Sequence, residues 1–145
     1  MKTRLKFSVT LAAELEALER FESFIIDTCG ELDIETHVRD NLTKAVRDVC
    51  KTIIDVGYAG LDSGSIIVSM VKQSSNVVVT ITDFGNPLDP LSKLMSNVGQ
   101  AIEDLPMGGF GLAFLFRTMQ NIKYEVTQAG NRLIFSHPFQ RNKTE

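Results

Sequence analysis

The sequence lacks the features that mark several large classes of protein. It has two cysteines, Cys29 and Cys50, with no C-x-x-C motif and no histidine at metal-ligand spacing. We therefore expect reduced core cysteines, no disulfide and no structural metal. No cluster of lysine and arginine is present and the formal net charge is −3, which argues against direct binding to nucleic acid. The longest apolar runs are far shorter than a membrane span, and acidic residues interrupt the basic start before a signal peptide could form, so we expect a cytoplasmic protein without membrane contact.

What the sequence does contain is typical of one globular domain. It has 145 residues, of which 43% are hydrophobic and 23% are charged. This length and balance are sufficient for a real hydrophobic core. We therefore predict a single domain over residues 1–145, with a flexible tail at 140–145.

Hydrophobic spacing predicts one strand and two helices in the first part of the chain. Residues 3–10 alternate between apolar and polar side chains, as a strand with one buried face does. From Leu11 to about Cys29 the apolar residues recur at helical spacing. Those expected on one helix face are Leu11, Leu15, Leu18, Ile25 and Ile26. A second apolar stripe predicts a helix from about Glu35 to Tyr58.

Two pairs of strands are predicted in the rest of the chain. The β-branched runs Ser65–Val71 and Val77–Asp83 are separated by a short polar turn, which favours a hairpin. A second hairpin is predicted at the end, with strands at 122–128 and 132–139 and a turn at 129–131.

Between the two hairpins, the segment 84–107 contains three prolines and two glycines and keeps no regular period. A connection of this length is more often a functional lid than a plain linker. Leu112, Leu115, Phe116 and Met119 then recur at helical spacing. The order of elements predicts an α+β fold, a two-layer sandwich of a mixed, mainly antiparallel sheet with helices on one face.

The stretch PMGGFGLAFLFRTMQ, residues 106–120, places three glycines directly before this short apolar helix. A glycine-rich helix start exposes unpaired N–H groups, which attract anions. The stretch lacks the third glycine and the preceding strand of a Rossmann motif, and it lacks the Gly-Lys-Ser/Thr of a Walker A loop. A plain turn before a buried helix and a phosphate-binding loop are both open interpretations.

Two other segments carry candidate site residues. In ITDFGNPLDP, residues 81–90, Asp83 ends a strand and Gly85 follows it, so a carboxylate could accept a hydrogen bond from the amine of a purine beside a flexible backbone. An ordinary Asp-x-Gly turn would have the same sequence. In AVRDVCKTIID, residues 45–55, Asp48 and Thr52 lie one turn apart at the edge of the apolar stripe. That edge is either a cleft wall or a solvated helix flank.

Together, in this order and spacing, these segments resemble the GHKL ATPase superfamily with its Bergerat ATP-binding fold. More specifically, they resemble the anti-sigma-factor serine/threonine kinases. ITDFGNPLDP is similar to the first glycine box of that group, MGGFGLAFLFRTMQNIKYE to the second, and AGNRLIF to its closing hairpin. The resemblance extends from about Leu5 to Phe139.

The resemblance implies an ATP site with Mg²⁺. Asp83 is expected to accept from the adenine amine, Gly85 to line the base pocket, and 84–107 to form the nucleotide lid. The residues expected at the phosphates are Gly108, Gly109, Phe110, Gly111 and Leu112. The family's N-box glutamate, a catalytic base, aligns with Asp48, and its Mg²⁺-binding asparagine aligns with Thr52. Both positions depart from the family, since aspartate is shorter and threonine lacks the reach of the amide carbonyl.

Three functions remain open from the sequence. By resemblance, the first is a serine kinase that phosphorylates a STAS-type antagonist in a partner-switching system and so releases a sigma factor. The second is a nucleotide-binding or partner-sequestering module of the same fold that does not transfer phosphate. The third is a structural domain without a ligand. The resemblance also implies a homodimer.

Overall fold

The computed structural model describes residues 5–88 and 111–140, and within these residues the chain forms five strands and three helices. The strands are β1 (Lys6–Ala12), β2 (Ser65–Lys72), β3 (Asn76–Asp83), β4 (Gln120–Thr127) and β5 (Gly130–Pro138). The helices are α1 (Leu18–Glu31), α2 (Thr36–Thr52) and α3 (Ala113–Thr118). No helix in the described part is long and apolar enough to cross a membrane.

The five strands form one sheet in the order β1-β2-β3-β5-β4. Every neighbouring pair is antiparallel, so the described sheet is antiparallel throughout rather than mixed. Both predicted hairpins, β2–β3 and β4–β5, are confirmed. Because β5 lies between β3 and β4, the start of the last strand is adjacent to the end of β3, and Asn131 is paired in register with Asp83.

The helices cover one face of this sheet, which confirms the two-layer α+β prediction. Along β3, buried side chains at Val77, Val79 and Ile81 alternate with half-buried ones on the other face, as a strand with one covered face requires. The buried strand residues belong to one continuous core with Phe21 of α1 and Leu42 of α2. The strands and α2 are therefore held together by the same hydrophobic core.

The first helix begins later than predicted. Leu11 pairs with Ile66 between β1 and β2. The residues predicted to form the first turn of the helix therefore begin within a strand. A short 3₁₀ turn at Leu15–Ala17 then leads into α1. Ile25 is fully buried while Ile26 is 43% exposed, because consecutive residues of a helix point about 100° apart and the buried stripe is narrower than predicted.

The second helix changes geometry before its predicted end. The α-helix stops at Thr52, and Ile53–Gly57 forms a π-helical turn, in which the Tyr58 N–H reaches the Ile53 carbonyl at 3.0 Å. A π turn inserts an extra residue into the helix and is frequent at functional sites. Here it brings the Gly57 carbonyl to within 2.7 Å of the Asn86 nitrogen, just beyond β3.

The closing hairpin also differs in register from the prediction. The turn is confined to residues 128–129, and β5 begins at Gly130 rather than after Asn131. Thr127 pairs directly with Gly130, whose φ of +122° is a conformation that glycine adopts readily. Asn131, predicted to be a turn residue, is therefore a buried strand residue.

Candidate functional site

Asp83 is a buried carboxylate at the end of β3, with only 2% of its surface exposed. Its Oδ1 accepts two hydrogen bonds, from the Gly85 N–H at 2.9 Å and from the Asn131 side-chain amide at 3.0 Å. Among the described residues, no hydrogen-bond donor reaches Oδ2. Burial raises the pKa of the Asp83 carboxyl, and the two hydrogen bonds partly oppose this rise.

Asn131 fixes the Asp83 carboxylate in place. Its side-chain nitrogen donates to Asp83 Oδ1 and, at 2.9 Å, to the backbone carbonyl of Gly85. Both hydrogens of the amide are thus used, and its oxygen faces away from these two acceptors. Asn131 was not among the site residues predicted from the sequence. Only its place in the AGNRLIF hairpin pointed to it, because the contact depends on the β3–β5 register.

Gly85 packs against the backbone of the π-helical turn. A Cβ atom at this position would lie 2.5 Å from the Gly57 oxygen and 2.8 Å from the Gly57 carbonyl carbon. No larger residue fits without moving one of two backbones. Close approach therefore accounts for this glycine, while its role in lining a base pocket stays a prediction.

Two tyrosine hydroxyls hold the segment that follows β3. Tyr58 accepts a hydrogen bond from the Phe84 N–H at 2.9 Å and donates one to the Ser65 carbonyl at 2.7 Å. Burial raises the Tyr58 pKa, so its hydroxyl stays protonated and able to donate. Tyr124 of β4 accepts from the Leu88 N–H at 3.0 Å. Neither tyrosine was predicted from the sequence: Tyr58 lies just beyond AVRDVCKTIID, and Tyr124 lies at the end of the stretch similar to the second glycine box, away from its glycines.

Two exposed apolar side chains lie near the end of β3 along the chain or in strand register. Phe84 is 50% exposed, and its ring lies 3.1 Å from where a Cβ on Gly130 would be. Val126 is 49% exposed and is paired in register with Asn131. Val126 therefore shares the face of the sheet that carries the Asn131 and Asp83 side chains, whereas Phe84 packs on Gly130, one position earlier in β5.

The flank of α2 carries the second group of candidate residues. Asp48 accepts an ion-pair contact from Lys44 at 3.2 Å, and the Lys44 ammonium also lies 5.1 Å above the centre of the Phe114 ring. Thr52 is 6% exposed, and its hydroxyl donates to the Asp48 backbone carbonyl at 3.0 Å. Lys44 thus connects Asp48 with α3. The Thr52 hydroxyl, in contrast, is hydrogen-bonded to the backbone of its own helix.

The predicted glycine-rich segment is only partly described. Gly108, Gly109 and Phe110 lie outside the described residues, as do residues 89–107 of the predicted lid and 141–145 of the predicted tail. Gly111 has a φ of +68° and is exposed, and Leu112 is fully buried at the base of α3. The structure therefore brings Asp83, Gly85 and the π-helical turn together and leaves the phosphate prediction untested.

Residues 11–137 match the family model of the histidine kinase-like ATPase domain. The chain belongs to this family. This histidine kinase-like ATPase domain is thus a member of the GHKL superfamily, as its glycine boxes indicated, and the family supports ATP binding. A search of curated proteins finds no match in sequence.

Solved structures share the fold of this histidine kinase-like ATPase domain at low sequence identity. The RsbU and RsbW domains of Rv1364c from Mycobacterium tuberculosis match at 16% identity with a TM-score of 0.68, over 95% of this chain and 33% of that one. The chain therefore spans about a third of that structure. The catalytic domain of the histidine kinase ThkA matches at 13% identity with a TM-score of 0.52, over 97% of this chain and all of that one.

Proposed function

We propose that this domain binds an adenine nucleotide and acts as a regulatory kinase of the anti-sigma-factor type. The observation that carries the proposal is the Asp83 carboxylate, which Asn131 and Gly85 hold through one oxygen, while no donor among the described residues reaches the other. An exocyclic amine is the complementary partner, because an ionised carboxylate only accepts hydrogen bonds. A guanine bound in the same orientation would present its carbonyl, a second acceptor, at the position of the adenine amine and would bind more weakly.

The surroundings of Asp83 fit a purine ring. Val126 is 49% exposed and, through its pairing with Asn131, lies on the same face of the sheet; small-molecule sites typically combine such apolar surface with a few fixed polar groups. The phosphates would extend from the base toward the segment predicted for them from the sequence: Gly108, Gly109, Phe110, Gly111 and Leu112. Backbone N–H groups in such a segment can bind anions.

Mg²⁺ fits the α2 flank poorly. The metal prefers oxygen ligands in near-ideal octahedral geometry. Thr52, which aligns with the metal-binding asparagine of the family, is 6% exposed, its hydroxyl is turned toward the helix by the bond to the Asp48 carbonyl at 3.0 Å, and it lacks the reach of an amide carbonyl. We therefore derive no step through a metal held by these two residues.

The kinase reaction would need few protein groups, because phosphoryl transfer depends mainly on positioning and electrostatics. The serine hydroxyl of a small antagonist protein would attack the γ-phosphorus, and the bond from that phosphorus to the β–γ bridging oxygen would break. ADP would leave and the hydroxyl proton would pass to Asp48 or to water. Asp48 is half-buried on the α2 flank, where an acidic side chain can orient such a hydroxyl.

A nucleotide-binding module without phosphoryl transfer is the second candidate function. The observation that favours it is the engagement of the α2 positions, since Asp48 is neutralised by Lys44 and Thr52 replaces the longer asparagine. Such a module would bind its nucleotide and sequester a partner protein without phosphorylating it.

Calorimetric titration and a phosphotransfer assay on the purified chain test both candidates. We expect ATP to bind more tightly than GTP and than purine riboside triphosphate, which lacks the amine. Label from γ-labelled ATP should appear on a STAS-domain protein and be lost when its acceptor serine is changed to alanine. Binding without label on any STAS domain tested would favour the module. No binding of any nucleotide would overturn both.

The proposal extends to partners and setting. The similar structure from Mycobacterium tuberculosis contains an RsbW domain. Together with the glycine boxes, this supports a STAS-type antagonist and a sigma factor as partners, and transcription regulation as the output. We also propose a cytoplasmic location and a homodimeric state, as the resemblance implies.

A further inference from the structure

Lys44 contacts both a carboxylate of its own helix and an aromatic ring of α3. Its ammonium lies 3.2 Å from a carboxylate oxygen of Asp48 and 5.1 Å above the centre of the Phe114 ring. Phe114 is the second residue of α3, so Lys44 connects α2 with α3. A cation over an aromatic face is held in position without losing its charge.

The direction of α2 places Lys44 far from the base end of the site. The π-helical turn that follows Thr52 packs on Gly85 and so lies at the base end. Moving back along the helix, Thr52, Asp48 and Lys44 follow at intervals of four residues, about 6 Å each along the axis. A nucleotide with its base at Asp83 and its phosphates along this flank would meet Lys44 last.

Among the described residues, no ion pair or ring contact joins the other cations of α2 near this flank to α3. Arg47 contacts Glu22 of α1 at 2.8 Å, on the side of the helix that faces α1. Lys51 pairs with Asp55 at 2.6 Å, with the same four-residue spacing as the Lys44–Asp48 pair. Among the described residues, Lys51 lies over no aromatic ring. Lys44 is therefore the cation that the fold directs toward α3.

We propose that Lys44 binds the terminal phosphates of the nucleotide and supplies there the positive charge that α2 is poorly built to take from a metal ion. In the absence of nucleotide its ammonium neutralises Asp48; when a triphosphate is bound the ammonium contacts the phosphate and leaves the carboxylate available. This inference rests on the proposed nucleotide site. It adds a recognition residue that the N-box positions Asp48 and Thr52 do not supply.

Binding of ATP, ADP and AMP to the full chain, in EDTA and in Mg²⁺, tests the inference. The wild-type chain should bind ATP in EDTA nearly as tightly as in Mg²⁺. Lys44→Met keeps the length and apolar stem of the side chain but loses its charge. It should weaken ATP binding in EDTA by about tenfold or more, as expected for a lost hydrogen bond between charged groups, while AMP binding changes little. Lys44→Arg should restore most of the ATP affinity.

Lys51→Met is the matched control, because it removes an equally exposed lysine of α2 from an ion pair with the same four-residue spacing. It should leave ATP binding unchanged. Equal losses of ATP affinity in the two methionine variants would overturn the role of Lys44, as would equal losses of ATP and AMP affinity in Lys44→Met. The role would also be overturned if the wild-type chain needs Mg²⁺ to bind ATP and Lys44→Met binds it equally well. A wild-type chain that binds no nucleotide would overturn the proposed function as well.

Discussion

At the scale of single residues, the Asp83 carboxylate is costly to stability and well suited to binding. Burial disfavours its ionised form, and only Gly85 and Asn131 donate to it among the described residues. Groups whose pKa is raised in this way concentrate at functional sites, because the surrounding fold has to stabilise them. Removing the charge should therefore affect stability and binding in opposite directions.

Asp83→Asn should reverse the preference of the base site. The asparagine oxygen can keep the bonds from Gly85 and Asn131, which turns the amide nitrogen toward the ligand as a donor. ATP affinity should fall by about tenfold to a hundredfold, and nucleotides with a carbonyl edge, such as GTP or ITP, should gain relative to ATP. Calorimetric titration of the three nucleotides measures this. An equal loss for all three would contradict base recognition by Asp83.

The same substitution should flatten the pH dependence of stability. Since the Asp83 pKa is raised above its ordinary value of 3.8 in the folded state, its contribution to stability is complete below 3.8 and is lost as pH rises through the folded pKa. Asp83→Asn, which cannot ionise, should therefore unfold at a higher urea concentration than the wild type at neutral pH. The difference should disappear in acid; a variant that is less stable than the wild type at neutral pH would contradict this.

At the scale of elements, the site depends on two backbones that touch. The π-helical turn Ile53–Gly57 and the segment after β3 meet where the Asn86 N–H bonds to the Gly57 carbonyl at 2.7 Å, with Gly85 packed beside it. Tyr58 then ties Phe84 to the start of β2. This contact links the π-helical turn at the end of α2 to the segment that holds the Asp83 carboxylate. A displacement of either backbone should therefore alter the position of that carboxylate.

Gly85→Ala should destabilise the fold and damage the site together. Its methyl group would lie 2.5 Å from the Gly57 oxygen, and the obstacle is backbone that cannot rotate away. We expect a loss of about 1–3 kcal/mol in the free energy of unfolding, typical of overpacking, and weaker ATP binding. Gly30→Ala is the control, because no atom lies within 4 Å of its added methyl and it lies in α1. It should be neutral or stabilising by up to about 1 kcal/mol, as measured by urea unfolding.

At the scale of the whole molecule, large apolar side chains lie exposed in the first part of the chain. Among the described residues before α2, the exposed ones are Leu5, Leu15 and Ile26. Scattered apolar residues are normal on a monomer, so exposure alone does not define an interface. The homodimer remains a prediction from the resemblance.

Sedimentation analysis of the purified chain tests the dimer directly. We expect a species of twice the 16.1 kDa chain mass, which should dissociate on dilution, because the equilibrium between monomer and dimer depends on protomer concentration. Ile26→Ser changes an exposed side chain of α1 without opening a core cavity. Weaker dimerisation of this variant would show that α1 contributes to the dimer interface. A single species at the chain mass over the whole concentration range would contradict the prediction.

Local patterns in the sequence were sufficient for the elements, their order and the family. Both hairpins, the two long helices and the short helix before β4 follow from apolar spacing and turn residues, because each is specified by neighbours a few positions apart. Asp83 and Gly85 could be identified as candidate site residues for the same reason, because a strand end followed by a glycine is a local pattern. It also accounts for the errors, since spacing alone could not say that Leu11 belongs to β1 or that the helix after Thr52 becomes a π turn.

Only the tertiary structure decided which residues surround the carboxylate. Asn131 reaches Asp83 through a strand pairing that joins residues 48 positions apart, and Gly57 reaches Gly85 because a π turn alters the end of α2. Lys44 meets Phe114 because α2 and α3 pack on the same core. Such contacts depend on register and packing across the whole chain, which no window of neighbouring residues contains. The sequence by itself determined the fold family and the carboxylate, and the packing of distant segments determined how that carboxylate is held.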